Sequence, residues 1–421
     1  MHLAARHPAQ LASLIRHGYN INATDIFGIT PLAYAAGLGQ RQAMTMMIEA
    51  GADLYFSLSE GPWGHRIREN FLKFACLSGL WDTVLDGLKL LKNCADKETI
   101  QETGKTVTLD FLRNEDNVFH GEPNIDILSA ILAEWQPQDL DMSSNVCMER
   151  GCDSFIHYMS SAKQLEAFID HGFPVVGHTN HVGQNHLITL LNRPNGWVNG
   201  KQLVDFVDKL IDSGLAVNDE DSLHHTPLHY WFHNGVDLLR PYAVGIMATG
   251  VLISRGADTS HKDRCRCPCA PNGCLPAGAL AATVRMPDLD RPFWRPLFSI
   301  ECLHMVEERG VPEASREMLL SFIRRAKHEE MGMTHVCCNR QSRYLTAYKR
   351  FKHTDEVLEP MENIDIDEIL EEEAEFIDML DDEMREVSDK GYGELVEYWF
   401  YQIHKALERY ADESVPLETM V

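Results

Sequence analysis

The 421-residue sequence predicts an all-α solenoid: helix pairs joined by hairpin fingers, followed by a helical C-terminal domain. Three observations carry this expectation. His17-Gly18-Tyr19-Asn20 recurs 33 residues later as Ala50-Gly51-Ala52-Asp53, a period typical of repeats built from one helix pair. A 12-residue step from Gly18 to Thr30 recurs from Gly214 to Thr226. Finally, 44% hydrophobic and 9% aromatic residues make a composition able to bury a core rather than that of a disordered chain.

The first complete unit explains itself residue by residue. Asp25-Ile26-Phe27-Gly28-Ile29-Thr30-Pro31-Leu32 precedes an Ala-rich helical pattern, then Gly39, then Met46-Met47-Ile48. Thr30 suits a helix N-cap, and Pro31 the first helical position, where a missing N–H costs nothing. Gly51 supplies the left-handed residue that ends a second helix. Ala35 and Ala36 let paired helices approach closely. These residues resemble the ankyrin repeat, with its D-x-x-G-x-T-P-L-H-x-A-A opening and L-x-x-G-A-D close.

The same template recurs with wear. Met1 to Gly18 reads as the back half of a unit. A degraded unit runs through Phe71-Leu72-Lys73-Phe74-Ala75-Cys76 and Gly79, after an insertion around Gly61-Pro62-Trp63-Gly64. Shifted by 154 residues, Leu11, Leu14 and Ile15 fall on Leu165, Phe168 and Ile169, and Gly183-Gln184-Asn185-His186-Leu187 replaces G-x-T-P-L. The last unit, with Thr226-Pro227-Leu228-His229, closes at Gly256-Ala257-Asp258 about nine residues late, so it carries an insertion. Residues 1–262 therefore read as about six divergent units, clearest at 1–54 and 214–262.

Histidines tempt a metal reading: His178, His181 and His186, or His224, His225, His229 and His233. The plainer reading is stronger, because His229 occupies the ankyrin-motif histidine and His178 and His181 fall in a finger. No phosphate-binding, dinucleotide, nucleophile-elbow or zinc-protease motif occurs.

The cysteines concentrate instead. Of 11, seven lie within 74 residues: Cys265, Cys267, Cys269, Cys274, Cys302, Cys337 and Cys338. The C-x-C-x-C-x4-C run is broken by Pro268, Pro271 and Gly273, which favour a tight wrap over a helix. His335-Val336-Cys337-Cys338 follows about sixty residues on. Cys265, Cys267, Cys269, Cys274, His335, Cys337 and Cys338 offer thiolate and imidazole donors for structural Zn2+, which takes four in a tetrahedron. Buried thiols acting as small hydrophobes are a second reading, and disulfides, including a Cys337–Cys338 bond, a third. Repeats followed by D-x-C-x-C-x-C-x4-C and M-T-H-x-C-C resemble a group of poorly characterised filamentous-fungal ankyrin proteins. That resemblance implies architecture and no particular reaction.

Ankyrin signals stop at Pro276. Residues 263–353 are expected to form a Cys/His-containing helical cap, with Leu297, Ile300, Leu303 and Val306 on one helix and Met318, Leu319, Phe322 and Ile323 on the next. Residues 313–352 hold nine Lys/Arg against four acids. Residues 354–421 add an acidic amphipathic helix, with Leu370, Ala374, Ile377, Leu380, Met384 and Val387 as its stripe, and a last helix bearing Leu395, Trp399 and Ile403. The acidic stripe either lies on the basic segment or pairs with a partner helix as a coiled coil; the first is favoured.

Formal net charge is −25, but residues 355–386 alone hold sixteen acids and one base, −15 of that total. So acidic a chain disfavours nucleic acid as a partner. No apolar run reaches membrane-spanning length and no secretion signal opens the chain; an intracellular protein, cytoplasmic or nuclear, is the expectation. The resemblance implies a scaffold or adaptor that binds protein partners, with no small-molecule substrate and no catalytic residues. Ile26, Phe27, Trp231 and Phe232 are the candidate contacts. The alternative is an enzyme or redox-responsive protein using the clustered cysteines.

Overall fold

The computed structural model describes residues 1–58, 67–117, 124–135, 146–148, 151–153, 155–180, 183–192, 200–232, 242–281, 294–308, 312–334 and 363–413. They form two compact units, Met1–Ser144 with Ser154–Val175, and Asn145–Asp153 with Val176–Val421. Among the described residues no helix is long and apolar enough to cross a membrane.

In the first unit, α1 (Pro8–Arg16) is followed by the pair α2 (Pro31–Gly37) and α3 (Arg41–Glu49). Asp25 builds the finger between them. Its backbone N–H donates to Ile29 O (3.1 Å), and its Oδ1 accepts from the N–H groups of Phe27 and Ile29, both at 2.9 Å. Thr30 then caps α2, its Oγ1 accepting from Ala33 N, with Pro31 in the first turn. Gly51, at φ +82°, ends α3: its N–H donates to Ile48 O and that of Ala52 to Met47 O, both at 3.0 Å. This is the paired hydrogen bonding of a Schellman cap. Asn22 ties one finger to the next by accepting from Asp53 N at 2.9 Å.

The second finger is drawn out into a hairpin. Strands β1 (Tyr55–Leu58) and β2 (Ile67–Asn70) run antiparallel, Tyr55 opposite Asn70 and Leu58 opposite Ile67. The predicted insertion at Gly61-Pro62-Trp63-Gly64 lies outside the described residues. Helices α4 (Lys73–Leu77) and α5 (Trp81–Cys94) follow, α4 packing on α2 and α5 on α3. Next come α6 (Lys97–Asn117), α7 (Ile125–Ala133), a 3-10 turn at Phe155–Tyr158 and α8 (Ala162–Asp170). The Trp135 indole lies so close to α6 that a Cβ on Gly104 would come within 2.6 Å of it.

The second unit opens with a short antiparallel hairpin, β3 (Val146–Met148) and β4 (Gly151–Asp153). Its helices then stack in two rows. One row contains α9 (His186–Asn192), α11 (Pro227–Tyr230) and a 3-10 turn at Pro276–Ala281, each packed on the next. The other contains α10 (Gly200–Asp212), α12 (Tyr242–Ser254) and α13 (Trp294–Glu307), likewise in succession. Two rows of helices, each burying its face against its neighbour, are how a repeat array makes a core.

Four helices close this unit: α14 (Pro312–Glu330), α15 (Asn363–Glu372), α16 (Ala374–Ser388) and α17 (Tyr392–Glu413). The amphipathic acidic helix predicted from the 3–4 spacing is α15 and α16. Leu380, Met384 and Val387 of α16 are buried, whereas Ala374 is exposed. The stripe lies against α14, and the basic residues of α14 meet the acids around it: Arg324 pairs with Asp381 at 2.5 Å and Lys327 with Glu383. Trp399 of α17 is buried, its ring 5.3 Å from Phe322, and its Nε1–H donates to Ser299 Oγ at 3.0 Å.

Candidate functional site

The second unit repeats the Asp25 finger with different residues. Asn180 N–H donates to Gln184 O (2.9 Å), and Asn180 Oδ1 accepts from Gln184 N (2.9 Å). Asp221 N–H donates to His225 O (3.1 Å), and Asp221 Oδ1 accepts from Leu223 and His225 N–H (2.9 and 3.0 Å). Asp263 does the same across a longer loop: its N–H donates to Cys274 O (3.2 Å), and its Oδ1 accepts from Cys265 N (2.9 Å) and Cys274 N (2.6 Å). The residue before the closing one is left-handed each time, Gly183, His224 and Gly273 matching Gly28. The cysteines therefore sit in a finger of the repeat kind, expanded between Asp263 and Gly273. Gly256 to Asp263 is the same seven-residue step as Gly18 to Asp25 and Gly214 to Asp221.

Buried polar groups join these fingers. Asp221 Oδ2 accepts from Tyr230 Oη at 2.5 Å and Gln184 Nε2 at 3.3 Å. His225 Nε2 lies 3.1 Å from Asp263 Oδ2, both side chains fully buried. Thr226 N–H donates to His229 Nδ1, which makes Nε2 the protonated nitrogen; it donates to Cys274 O at 3.1 Å. His225 and His229 thus hold the cysteine finger by hydrogen bonds, and His186 is buried with its ring 5.4 Å from Phe206. His181 and His233 lie outside the described residues.

Within the finger, Cys265, Cys267, Cys269 and Cys274 are 5%, 0%, 2% and 4% exposed and cluster with Ile366, with Ile369 and Leu370 packed against them. Ala270 N–H donates to Cys267 O and Gly273 N–H to Ala270 O, wrapping the chain back on itself. Thiol sulfurs of Cys265 and Cys274 and a carboxylate oxygen of Asp263 lie within 4.8 Å of one another. Cys267 Sγ is 4.0 Å from Nε2 of His328, a buried residue in the last turn of α14. The sequence gives no spacing signal for His328, which reaches the cysteines only through packing of α14 on the last repeat. His335, Cys337 and Cys338 lie outside the described residues. Cys302, on α13, is buried, and burial pushes its thiol well above the ordinary range, then repulsion from Glu301 adds to it. It packs as a small hydrophobe.

The predicted contact residues separate into two pairs. Ile26 and Phe27, at the tip of the Asp25 finger, are 86% and 57% exposed. Trp231 and Phe232 are fully buried, which corrects their assignment as contacts. Trp231 Nε1–H donates to Thr249 Oγ1 at 2.7 Å, and the Phe232 ring lies 6.1 Å from that of Phe298. They fill the space between α11, α12 and α13.

The finger loops, Schellman caps and two helix rows define the fold class as all-α ankyrin repeat. No protein-family model matches the chain, and no curated protein matches it. Among solved structures it is similar to the ankyrin repeat domain of Bcl-3, a member of the IkappaB family, with 16% identity, 54% of this chain and 91% of that one covered, and a TM-score of 0.40. The human ASB11 ankyrin repeat domain gives 17% identity, 70% and 96% coverage and a TM-score of 0.28. A chain of the complex between the Bd0816 predatory endopeptidase of Bdellovibrio bacteriovorus and the immunity protein Bd3460 gives 14% identity, 60% and 96% coverage and a TM-score of 0.29.

Proposed function

We propose that this chain is a protein-binding scaffold or adaptor whose contact surface includes the Asp25 finger. The observation that supports this reading is the state of Ile26 and Phe27: two large apolar side chains, mostly exposed, on a loop whose backbone is already fixed. Exposed apolar groups on an ordered loop bind with little further loss of conformational entropy. Asp25 supplies the order, since one carboxylate oxygen holds the N–H groups on both sides of Gly28. A redox-responsive role for the cysteines fits less well, because sensor thiols need access to solvent and these four are buried.

The test compares full-length protein with the I26S/F27S double variant as baits, with quantitative mass spectrometry of what each retains. The variant is expected to keep its melting temperature and lose the principal partners. Retention of the same partners at the same levels would refute the finger as a contact surface.

A further inference from the structure

We propose that the cysteine finger holds one structural zinc ion through the thiolates of Cys265, Cys267 and Cys274 and Nε2 of His328. Three observations converge on this set. The four groups are buried, and soft sulfur with imidazole is the donor chemistry that closed zinc sites use. Cys265 and Cys274 are brought together because Asp263 Oδ1 accepts both of their backbone N–H groups, placing their sulfurs within 4.8 Å. Cys267 Sγ and His328 Nε2 are 4.0 Å apart. Zn–S of about 2.3 Å and Zn–N of about 2.0 Å at tetrahedral angles set two ligand atoms roughly 3.5–3.8 Å apart. Each pair therefore needs a shift of only a few tenths of an ångström to about 1 Å within itself. The two pairs must also draw together, since the group lying mutually within 4.8 Å holds Cys265 and Cys274 without Cys267 or His328.

Asp263 is a positioning residue. Its carboxylate is already committed on one oxygen to two N–H groups and on the other to His225, so it shapes the loop from behind rather than taking a fourth ligand position. Cys269, buried in the same cluster, is not among the four proposed ligands. The consequence is mechanical. The ion would join a repeat finger to α14, and α14 carries α16 and α17 with it. Two other contacts run the same way: Arg324 Nε donates to Pro268 O at 2.7 Å, and Arg266 pairs with Asp367 at 2.7 Å. Because binding requires the folded arrangement and deprotonated thiols, metal and folding of this end of the chain would be coupled.

The experiment uses the full-length chain. Zinc is quantified after purification without chelator and dialysis against a zinc buffer, and cobalt(II) is then exchanged in for its visible spectrum. The expected result is about one zinc per chain and thiolate-to-cobalt charge-transfer bands with tetrahedral d–d absorption. C269S is expected to retain metal and spectrum; H328A is expected to lose most of the zinc or shift the cobalt bands. Should H328A fold poorly, alkylation of the wild type answers the question without a variant: Cys265, Cys267 and Cys274 would be protected with metal and labelled after chelation. Folded wild type holding less than about a tenth of a zinc per chain overturns the proposal. So does H328A with full zinc and an unchanged cobalt spectrum, or identical alkylation with and without chelator.

Discussion

Gly273→Ala is the sharpest perturbation of the finger that carries the cysteines. Gly273 has φ +96°, and a Cβ there would stand 2.2 Å from the carbonyl oxygen of Asp263, a backbone atom that no side-chain rotation can clear. Gly256→Ala is the matched control, with φ +92° and nothing within 4 Å of the added carbon. Both variants bear the left-handed penalty of about 1–2 kcal/mol for a non-glycine residue. Only Gly273→Ala must also open the loop. Opening removes the Asp263 N–H bond to Cys274 O and the two N–H bonds that Asp263 Oδ1 accepts. A hydrogen bond to a charged group contributes about 1.5–3 kcal/mol, so losing one puts the excess near 2 kcal/mol and losing both at about 3–6 kcal/mol. Urea unfolding gives the difference, and hydrogen exchange by mass spectrometry locates it. Peptides over 263–275 should lose protection in Gly273→Ala and keep it in Gly256→Ala. Equal destabilisation of the two variants, with unchanged exchange in 263–275, would refute the loop assignment.

Three further outcomes are expected. Asp25→Asn should cost under about 1 kcal/mol, because an amide oxygen can accept the same N–H groups, as Asn180 does for Gln184. Asp25→Ala, which removes the acceptor of Phe27 N, Ile29 N and the Tyr34 hydroxyl, should cost about 1–2 kcal/mol by urea titration, less than loss of the buried Asp263 bonds because water reaches these exposed and half-buried donors. Burial pushes the Asp25 carboxyl up, but hydrogen bonds from Ile29 N–H, the Tyr34 hydroxyl and Phe27 N–H outweigh it and leave it below its ordinary 3.8. Its ionised form therefore stabilises the protein above that value, and the advantage of wild type over Asp25→Asn should vanish as pH falls below about 4, through the lowered folded value. Arg324→Met removes the bonds to Pro268 O and Asp381 and should cost about 1–3 kcal/mol; limited proteolysis should begin in 374–388 while 8–49 stays intact.

Much of this architecture is legible in the residues because each repeat device is local. Thr30-Pro31 caps a helix, Gly51 ends one, and Asp25 closes a four-residue loop; all three act within a few positions of themselves. The array becomes illegible where a device is split. Between Asp263 and Gly273 the insertion separates the closing aspartate from its glycine, and Leu275-Pro276 replaces Thr-Pro, so the finger reads as a separate cysteine module. The seven-residue step from Gly256 to Asp263 was the signal that survives. Trp231 and Phe232 illustrate another limit: an aromatic pair at the end of a short helix looks the same in sequence whether it faces a groove or a neighbouring repeat. His328 is a third case, since only the tertiary packing of α14 brings it to Cys267. The acidic helix was readable as a helix from its 3–4 stripe, and the excess of base in the preceding segment pointed to its seat on α14.

The most direct test of a metal-tied closure of the array is X-ray absorption at the zinc K-edge on the purified full-length chain. The account predicts about three sulfur neighbours at roughly 2.3 Å and one imidazole nitrogen at roughly 2.0 Å. A first shell of oxygen and nitrogen alone, or no bound zinc in protein that melts cooperatively, would contradict it.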